Sequence, residues 1–246
     1  MIEAVVLYSS NDSRFFKKCI EQLVKCNIKT HVVTYSHMWR GTPENQDALD
    51  IAYSLFPSNP LYSTYRIEWH PGESSWYWEG LGRHLATQQV SNSSQYILYI
   101  DSDEIIDFEK FKYWINTKEI SNYDSIQLAQ YWYWREPIYQ STSIEFTTVL
   151  LKTQIAKSLP FTQDGREHYF KSGNIKGRCG SNDPFIHHYS WVRTKEEMLN
   201  KVSNWGHSSD RNNWKELVEE EFSKPFNGTD FIHRYNYNIV ENKFNL

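Results

Sequence analysis

Asp101-Ser102-Asp103-Glu104 puts three carboxylates into four positions, directly after the apolar run Tyr96–Ile100 (Y-I-L-Y-I). Carboxylates this close repel one another unless positive charge stands among them, and hard divalent cations such as Mg²⁺ and Mn²⁺ favour oxygen ligands. The apolar run fits a strand buried on both faces, as in a parallel sheet flanked by helices. In open α/β sheets ligands bind beyond the carboxyl ends of the strands, where this turn falls. The plainer alternative is a polar turn in which an Asp caps the next helix.

The elements that must position this turn are legible on both sides of it. Ala4–Tyr8 (A-V-V-L-Y) predicts a first buried strand, and Ser9, Ser10 and Asn11 a polar turn with Asp12 or Ser13 as helix cap. Phe15, Phe16, Cys19, Ile20, Leu23 and Val24 recur at the helical period, and Thr30–Tyr35 predicts a second strand. A βαβ start implies a sheet that begins parallel. Ser36–Ser63, with Gly41, Pro43, Pro57 and Pro60 around a short helix at Gln46–Leu55, reads as a surface excursion able to close over a ligand. Tyr65–Trp69 follows as a strand and Trp76–Val90 as a helix. Gly80 and Gly82 each cost that helix about 1 kcal/mol and allow close backbone approach.

Beyond the turn, a helix is expected from Phe108 to about Lys118, then a long strand Tyr123–Trp134. A turn around Pro137 leads to an antiparallel strand Glu145–Lys152. Leu159–Pro184 reads as loop and Phe185–Val192 as a final strand. Thr194–Trp205 reads as a helix with Thr194 and Glu197 as its capping box, and Trp214–Phe222 as the last helix. The fold class is therefore α/β, a mixed and mainly parallel sheet flanked by helices, in a single domain over 1–246.

With 39% hydrophobic and 23% charged residues the chain is globular and not disordered. A net charge of -4 gives no reason to expect nucleic acid, and no apolar run approaches the ~18 residues of a membrane span. Cys19, Cys26 and Cys179 lack metal-ligand spacing and point to a reducing compartment, the cytoplasm. The 16% aromatic residues can fill a core or line a sugar cleft.

Three segments together resemble the GT-A (Rossmann-like) fold of nucleotide-sugar-dependent glycosyltransferases, of the inverting family-2 type. They are Gly80-Leu81-Gly82-Arg83-His84, the strand Tyr96–Ile100 with Asp101-Ser102-Asp103 as a D-x-D turn, and H-Y-S-W-V-R at His188–Arg193 with Met198 and Lys201 downstream. The likeness spans roughly Ala4 to Lys201. It departs from the pattern at His84, where relatives have Asn, and in lacking a clean Glu-Asp base motif. The resemblance implies a nucleotide-binding half at about 1–107 and an acceptor half at about 108–210, followed by a helical tail at about 211–246. Its partners would be a UDP-, GDP- or dTDP-linked sugar donor and a glycan or other hydroxyl acceptor.

Glycosyl transfer must stabilise a diphosphate leaving group and deprotonate an acceptor hydroxyl, and a Mn²⁺ or Mg²⁺ ion serves the first need. Asp103 is the expected protein ligand. Asp101 would face the ribose or reach the metal through water, as the resemblance implies, and Ser102 would face the donor. His188 either completes the metal shell, imidazole favouring Mn²⁺, or is a buried, hydrogen-bonded histidine; strand alternation turns His187 the other way. Ser9 and Asn11 resemble the nucleotide-contacting loop, though plain turn residues look the same. Arg83 either contacts the diphosphate or makes an ion pair. Asp164, in Gln163–Glu167, is the expected catalytic base, with Glu167 and Asp183 as alternatives; each is equally readable as a solvated loop acid. Trp132, Trp134 and Trp191 can offer a flat surface to an acceptor sugar, with core packing the alternative for at least one.

Two other classes use parts of this pattern. Phosphatases of the haloacid dehalogenase type place D-x-D after a strand, but near the start of the fold and usually followed by Thr or Val, whereas Glu104 follows here. A non-catalytic carbohydrate-binding module would use the aromatics but has no need of clustered carboxylates.

Overall fold

The computed structural model describes residues 1–36, 38–39, 42–56, 58–117, 120–204 and 210–246. Strand β1 (Ile2–Leu7), helix α1 (Ser13–Lys25) and strand β2 (Lys29–Tyr35) form the expected βαβ start, with β1 and β2 parallel. Asp12 stands at the head of α1 without a capping bond. Ser9 instead caps the single 3-10 turn Ser10–Asp12, accepting from the Asn11 N–H. The excursion contains a two-strand ribbon, β3 (Met38–Trp39) with β4 (Thr42–Pro43), and helix α2 (Gln46–Ser54). Gly41 and Pro57, and the predicted helix ends Lys118 and Trp205, lie outside the described residues.

Strand β5 (Tyr62–Ile67) starts three residues before its predicted position, and helix α3 (Ser75–Gln89) leads into β6 (Tyr96–Asp101). After the turn comes a short strand that the sequence did not announce, β7 (Glu104–Ile106), then helix α4 (Phe108–Thr117). Strand β8 (Ser125–Trp134) turns at Arg135, not at Pro137, because Arg135 takes the left-handed conformation (φ 56°). Pro137 thus falls inside β9 (Glu136–Lys152), much longer than expected. The stretch read as loop holds helix α6 (Glu167–Lys171) and strand β10 (Lys176–Cys179), preceded by helix α5 (Thr153–Ser158). Strand β11 (Ile186–Trp191), helices α7 (Lys195–Asn204) and α8 (Trp214–Phe222), and strand β12 (Tyr237–Ile239) complete the chain. The tail is therefore one helix, a loop and an edge strand, not wholly helical. Thr194 and Glu197 form the predicted capping box on α7.

The main sheet runs β5-β2-β1-β6-β9-β8-β11-β7, with β10 beside β8 and β12 beside β9. The β5–β2–β1–β6 half is parallel, β6–β9 and β9–β8 are antiparallel, and β8–β11 is parallel again. Alternation assigns the two faces. Ala4 and Val6 of β1 with Leu98 and Ile100 of β6 pack against Phe15, Phe16 and Ile20 of α1 and Phe111 of α4. Val5, Leu7, Ile97 and Tyr99 pack against Trp78 and Ala86 of α3 and Ala156 of α5. Each such fully buried aliphatic or Phe side chain contributes about 1.5–3 kcal/mol. A third cluster joins Trp132, Trp134 and Trp191 to Met198, Val202, Trp214 and Val218, fixing α7 and α8 against the sheet. Among the described residues no helix is long and apolar enough to cross a membrane, and the three cysteines are free.

Candidate active site

Strand β1 lies between β2 and β6, so the chain winds one way from β1 to β5 and returns to the other side of β1 as β6. Such a switch point opens a crevice at the carboxyl ends of the strands. A cavity of about 920 Å³ occupies it, a size suited to a ligand larger than a single sugar. Its walls include Ser9, Asn11 and Asp12 after β1, Arg83 of α3, Asp101 and Asp103 after β6, Asp164 to His168, and His188 of β11.

Local sequence explains how each wall is held. The glycines of α3 are both close-approach positions. A Cβ on Gly80 would lie 2.1 Å from the Thr162 carbonyl oxygen, and one on Gly82 2.5 Å from the Tyr35 hydroxyl. Gly80 thus lets the Thr162–Glu167 loop sit against α3 beside Arg83. Antiparallel pairing of β7 with β11 puts His188 opposite Glu104. The β1 loop is tied to the excursion, Glu44 accepting from the Ser10 N–H at 2.6 Å and Ser10 Oγ accepting from the Asn45 N–H at 2.9 Å.

The repulsion among the carboxylates is relieved by the protein's own cations. Glu104 is fully buried and is no ligand: Arg166 donates to it through both terminal nitrogens, at 2.5 and 2.8 Å, and Thr147 and Thr148 donate to it as well. Glu104 also accepts from the Asp101 backbone N–H at 2.9 Å, which holds the turn in shape. Arg83 bridges Glu79 and Asp101, each at 3.1 Å, and Arg166 reaches Asp101 at 3.3 Å. Burial would raise the Asp101 carboxyl, but Arg166 and Arg83 hold it below the usual carboxylate range. Burial acts the same way on Asp103, where His188, Lys201 and Arg193 outweigh it and hold the carboxyl well below that range. The His188 Nε2 stands 3.5 Å from Asp103 Oδ1, and although burial alone would lower this imidazole, Asp103 raises it above its ordinary value.

Asp103 and His188 stand side by side on the cavity wall. An ion bound mainly through a substrate's phosphates needs only one or two protein ligands, and this pair fits that kind of site. Among the described residues no three His, Cys, Asp or Glu side chains converge to hold a metal unaided.

No protein-family model and no curated protein sequence matches the chain. Among solved structures, that of Staphylococcus aureus TarS superposes with a TM-score of 0.50 at 13% identity, covering 90% of this chain and 42% of that one. The chain has the GT-A fold. S. aureus TarS 1–349 in complex with UDP-GlcNAc gives 0.47 at 13% identity (91% and 73% covered). The galactosyltransferase LgtC with donor and acceptor sugar analogues gives 0.45 at 9% (92% and 98% covered). At these identities the likeness speaks for the fold alone.

On this GT-A frame the cavity wall collects Ser9, Asn11, Arg83, Asp101, Asp103, Asp164, Glu167, His188, Trp132 and Trp191 from the sequence-predicted set. Ser102 and Trp134 are not on the wall. Ser102 is fully buried and donates to Asp12 Oδ2 at 3.0 Å, because the turn directs its two Asp side chains to the cavity and the serine inward. Trp134 is also fully buried, its indole N–H donating to Glu221 at 3.1 Å, since α8 covers it. Arg83 is only 4% exposed and is already paired, so the ion-pair reading holds for it. His187 faces away as alternation requires: the Tyr133 hydroxyl bonds its Nδ1, and burial pushes its imidazole down to about 3. Asp183 lies outside the cavity wall, paired with Lys110.

Several wall residues had gone unassigned. Arg193, the last residue of H-Y-S-W-V-R, donates to the Asn11 carbonyl at 2.7 Å and pairs with Asp12, tying the β1 loop to the end of β11. Lys201 donates to the Ser190 carbonyl at 2.9 Å. Arg166 stood inside the run that supplied Asp164 and Glu167, with nothing in the sequence to mark it as the partner of Glu104. Glu145 of β9 and Ile232 and His233 of the tail also stand on the wall.

Proposed function

We propose that this protein is a metal-dependent hexosyl- or pentosyltransferase that moves a sugar from a nucleotide-sugar donor to an acceptor hydroxyl with inversion, in glycan or polysaccharide synthesis. The observation that carries this reading is the convergence of Asp101, Asp103 and His188 with the β1 loop on one cavity at the switch point of a GT-A sheet. On this reading the nucleotide-binding half is about 1–107 and the acceptor half about 108–210, with 211–246 closing the site. The free cysteines support a cytoplasmic location.

Ser9 and Asn11 bind the nucleoside of a UDP-, GDP- or dTDP-linked donor, and Asp101, fixed by Arg83 and Arg166, orients it. Asp103 and His188 hold Mn²⁺ or Mg²⁺, the imidazole favouring Mn²⁺. When bound, the ion offsets negative charge developing on the leaving diphosphate. The buried guanidinium of Arg166 adds positive potential beneath the same turn. Asp164 takes the proton from the acceptor hydroxyl, with Glu167 the next carboxylate along the wall. Trp132 and Trp191 stand on the acceptor side, and Trp134 packs behind them.

Thermal unfolding with UDP, GDP and dTDP, each with and without Mn²⁺ or Mg²⁺, tests this reading. A nucleotide at a hundred times its Kd stabilises by about 2.7 kcal/mol. Metal-dependent stabilisation by one nucleotide supports the transferase; stabilisation by phosphate analogues alone, or by sugars alone, overturns it in favour of a phosphatase or a binding module.

A further inference from the structure

The loop after α8 is built around one buried carboxylate. Asp230, 2% exposed, accepts from the backbone N–H groups of Ile232 (2.7 Å), His233 (2.6 Å) and Tyr235 (2.9 Å) and from the Tyr237 hydroxyl (3.0 Å). Thr229 and Asn236 bridge across its base, and Arg234 turns it in the left-handed conformation (φ 60°). Strand β12, immediately after, lies antiparallel on β9. The shape of the loop is thus fixed without a ligand, which removes an ordering cost from binding.

Ile232 and His233 are the side chains this loop brings to the cavity wall. The His233 ring stacks on Tyr235 and stands edge-on to Trp132, with centroids 5.0 and 4.8 Å away. Its Nε2 lies 3.8 Å from Glu145 Oε1, and that oxygen accepts from the Tyr235 hydroxyl at 3.0 Å. The His188 ring also stands edge-on to Trp132, its centroid 4.7 Å away. The Trp132 indole N–H is buried and has no hydrogen-bond partner among the described residues. An aromatic ring, a carboxylate and an imidazole gathered on one cavity wall are the groups that grip sugar hydroxyls over an apolar ring face. The donor site uses none of Glu145, Tyr235 and His233.

We propose that Trp132, Glu145 and His233 form the acceptor subsite and that the acceptor is the neutral sugar end of a glycan. A carboxylate accepts hydrogen bonds from sugar hydroxyls and repels phosphorylated or other anionic acceptors. The inference rests on the transferase reading and deepens it by naming the acceptor class.

The test screens the full chain, with Mn²⁺ and UDP, GDP or dTDP, on an array of neutral, phosphorylated and sulfated oligosaccharides. The best neutral oligosaccharide is then titrated by calorimetry. Neutral glycans are retained, and Glu145→Gln and His233→Ala each weaken the titrated one by about tenfold or more. Nucleotide affinity stays at the wild-type value in both variants, and the melting temperature of Glu145→Gln stays there too. Glu145→Gln conserves shape, so it reads the site even where His233→Ala unfolds. Retention of anionic glycans alone, of no glycan, or of the neutral glycan at full affinity by both variants overturns the subsite. Absence of nucleotide binding in the wild type overturns the transferase reading instead, and the glycan measurements then report on a sugar site without a donor site.

Discussion

Arg166 holds Glu104 through both terminal nitrogens, directly beneath the Asp101–Asp103 turn, although the two residues are far apart in sequence. Glu104 has no exposed side-chain surface and the Arg166 side chain is 10% exposed. Removing one partner leaves the other as an uncompensated buried charge. Arg166→Ala is expected to destabilise the fold by about 3–5 kcal/mol in denaturant unfolding. A loss below 1 kcal/mol would show that the pair does not anchor the turn.

Asp103→Ala removes a carboxylate that His188, Lys201 and Arg193 hold ionised. The expected outcome is loss of metal-dependent nucleotide binding in calorimetry, with the circular dichroism of the folded chain retained. Unchanged affinity removes Asp103 from the metal site.

Asp164→Asn keeps shape and hydrogen bonding but cannot take a proton. Donor affinity is expected to stay at the wild-type value while turnover falls by about 10²–10⁴-fold. Full turnover in this variant places the base elsewhere on the wall.

Gly80→Ala sets a methyl group 2.1 Å from the Thr162 carbonyl oxygen, where only a backbone shift can relieve the clash. The cost is about 1–3 kcal/mol, and the shift displaces the loop that carries Asp164 and Arg166. A variant as stable and as active as the wild type would show that the loop follows α3 freely.

The buried pair Glu3–His31 at the far end of the sheet makes stability depend on pH. Burial outweighs Glu3 and holds the His31 imidazole below its ordinary value. Below the unfolded value, about 6.5, the unfolded chain therefore binds a proton that the folded chain does not. Stability drops on acidification, by up to about 1.4 kcal/mol per pH unit. For Glu3, burial raises the carboxyl but His31 and Ser94 overcome it and hold it low. Its contribution is present above the ordinary carboxylate value and is lost as the pH falls through the lower folded one. His31→Gln is expected to flatten the slope of stability between about pH 6.5 and 5; an unchanged slope means another group titrates there.

Local pattern made much of this molecule legible. Strand alternation separated His188 from His187, and the two glycines of α3 signalled close approach, because both effects act within a few residues. The carboxylates after β6 were visible for the same reason. Chain order by itself determined the βαβ start, the acidic turn at a strand's end and most helices. Only the tertiary structure decided which cations neutralise that turn, that Ser102 and Trp134 face inward, and that the tail reaches the cavity. Those outcomes depend on β8–β11, β7–β11 and β12–β9 pairing across long stretches of chain, and no local periodicity encodes which distant side chain a strand register will set opposite another.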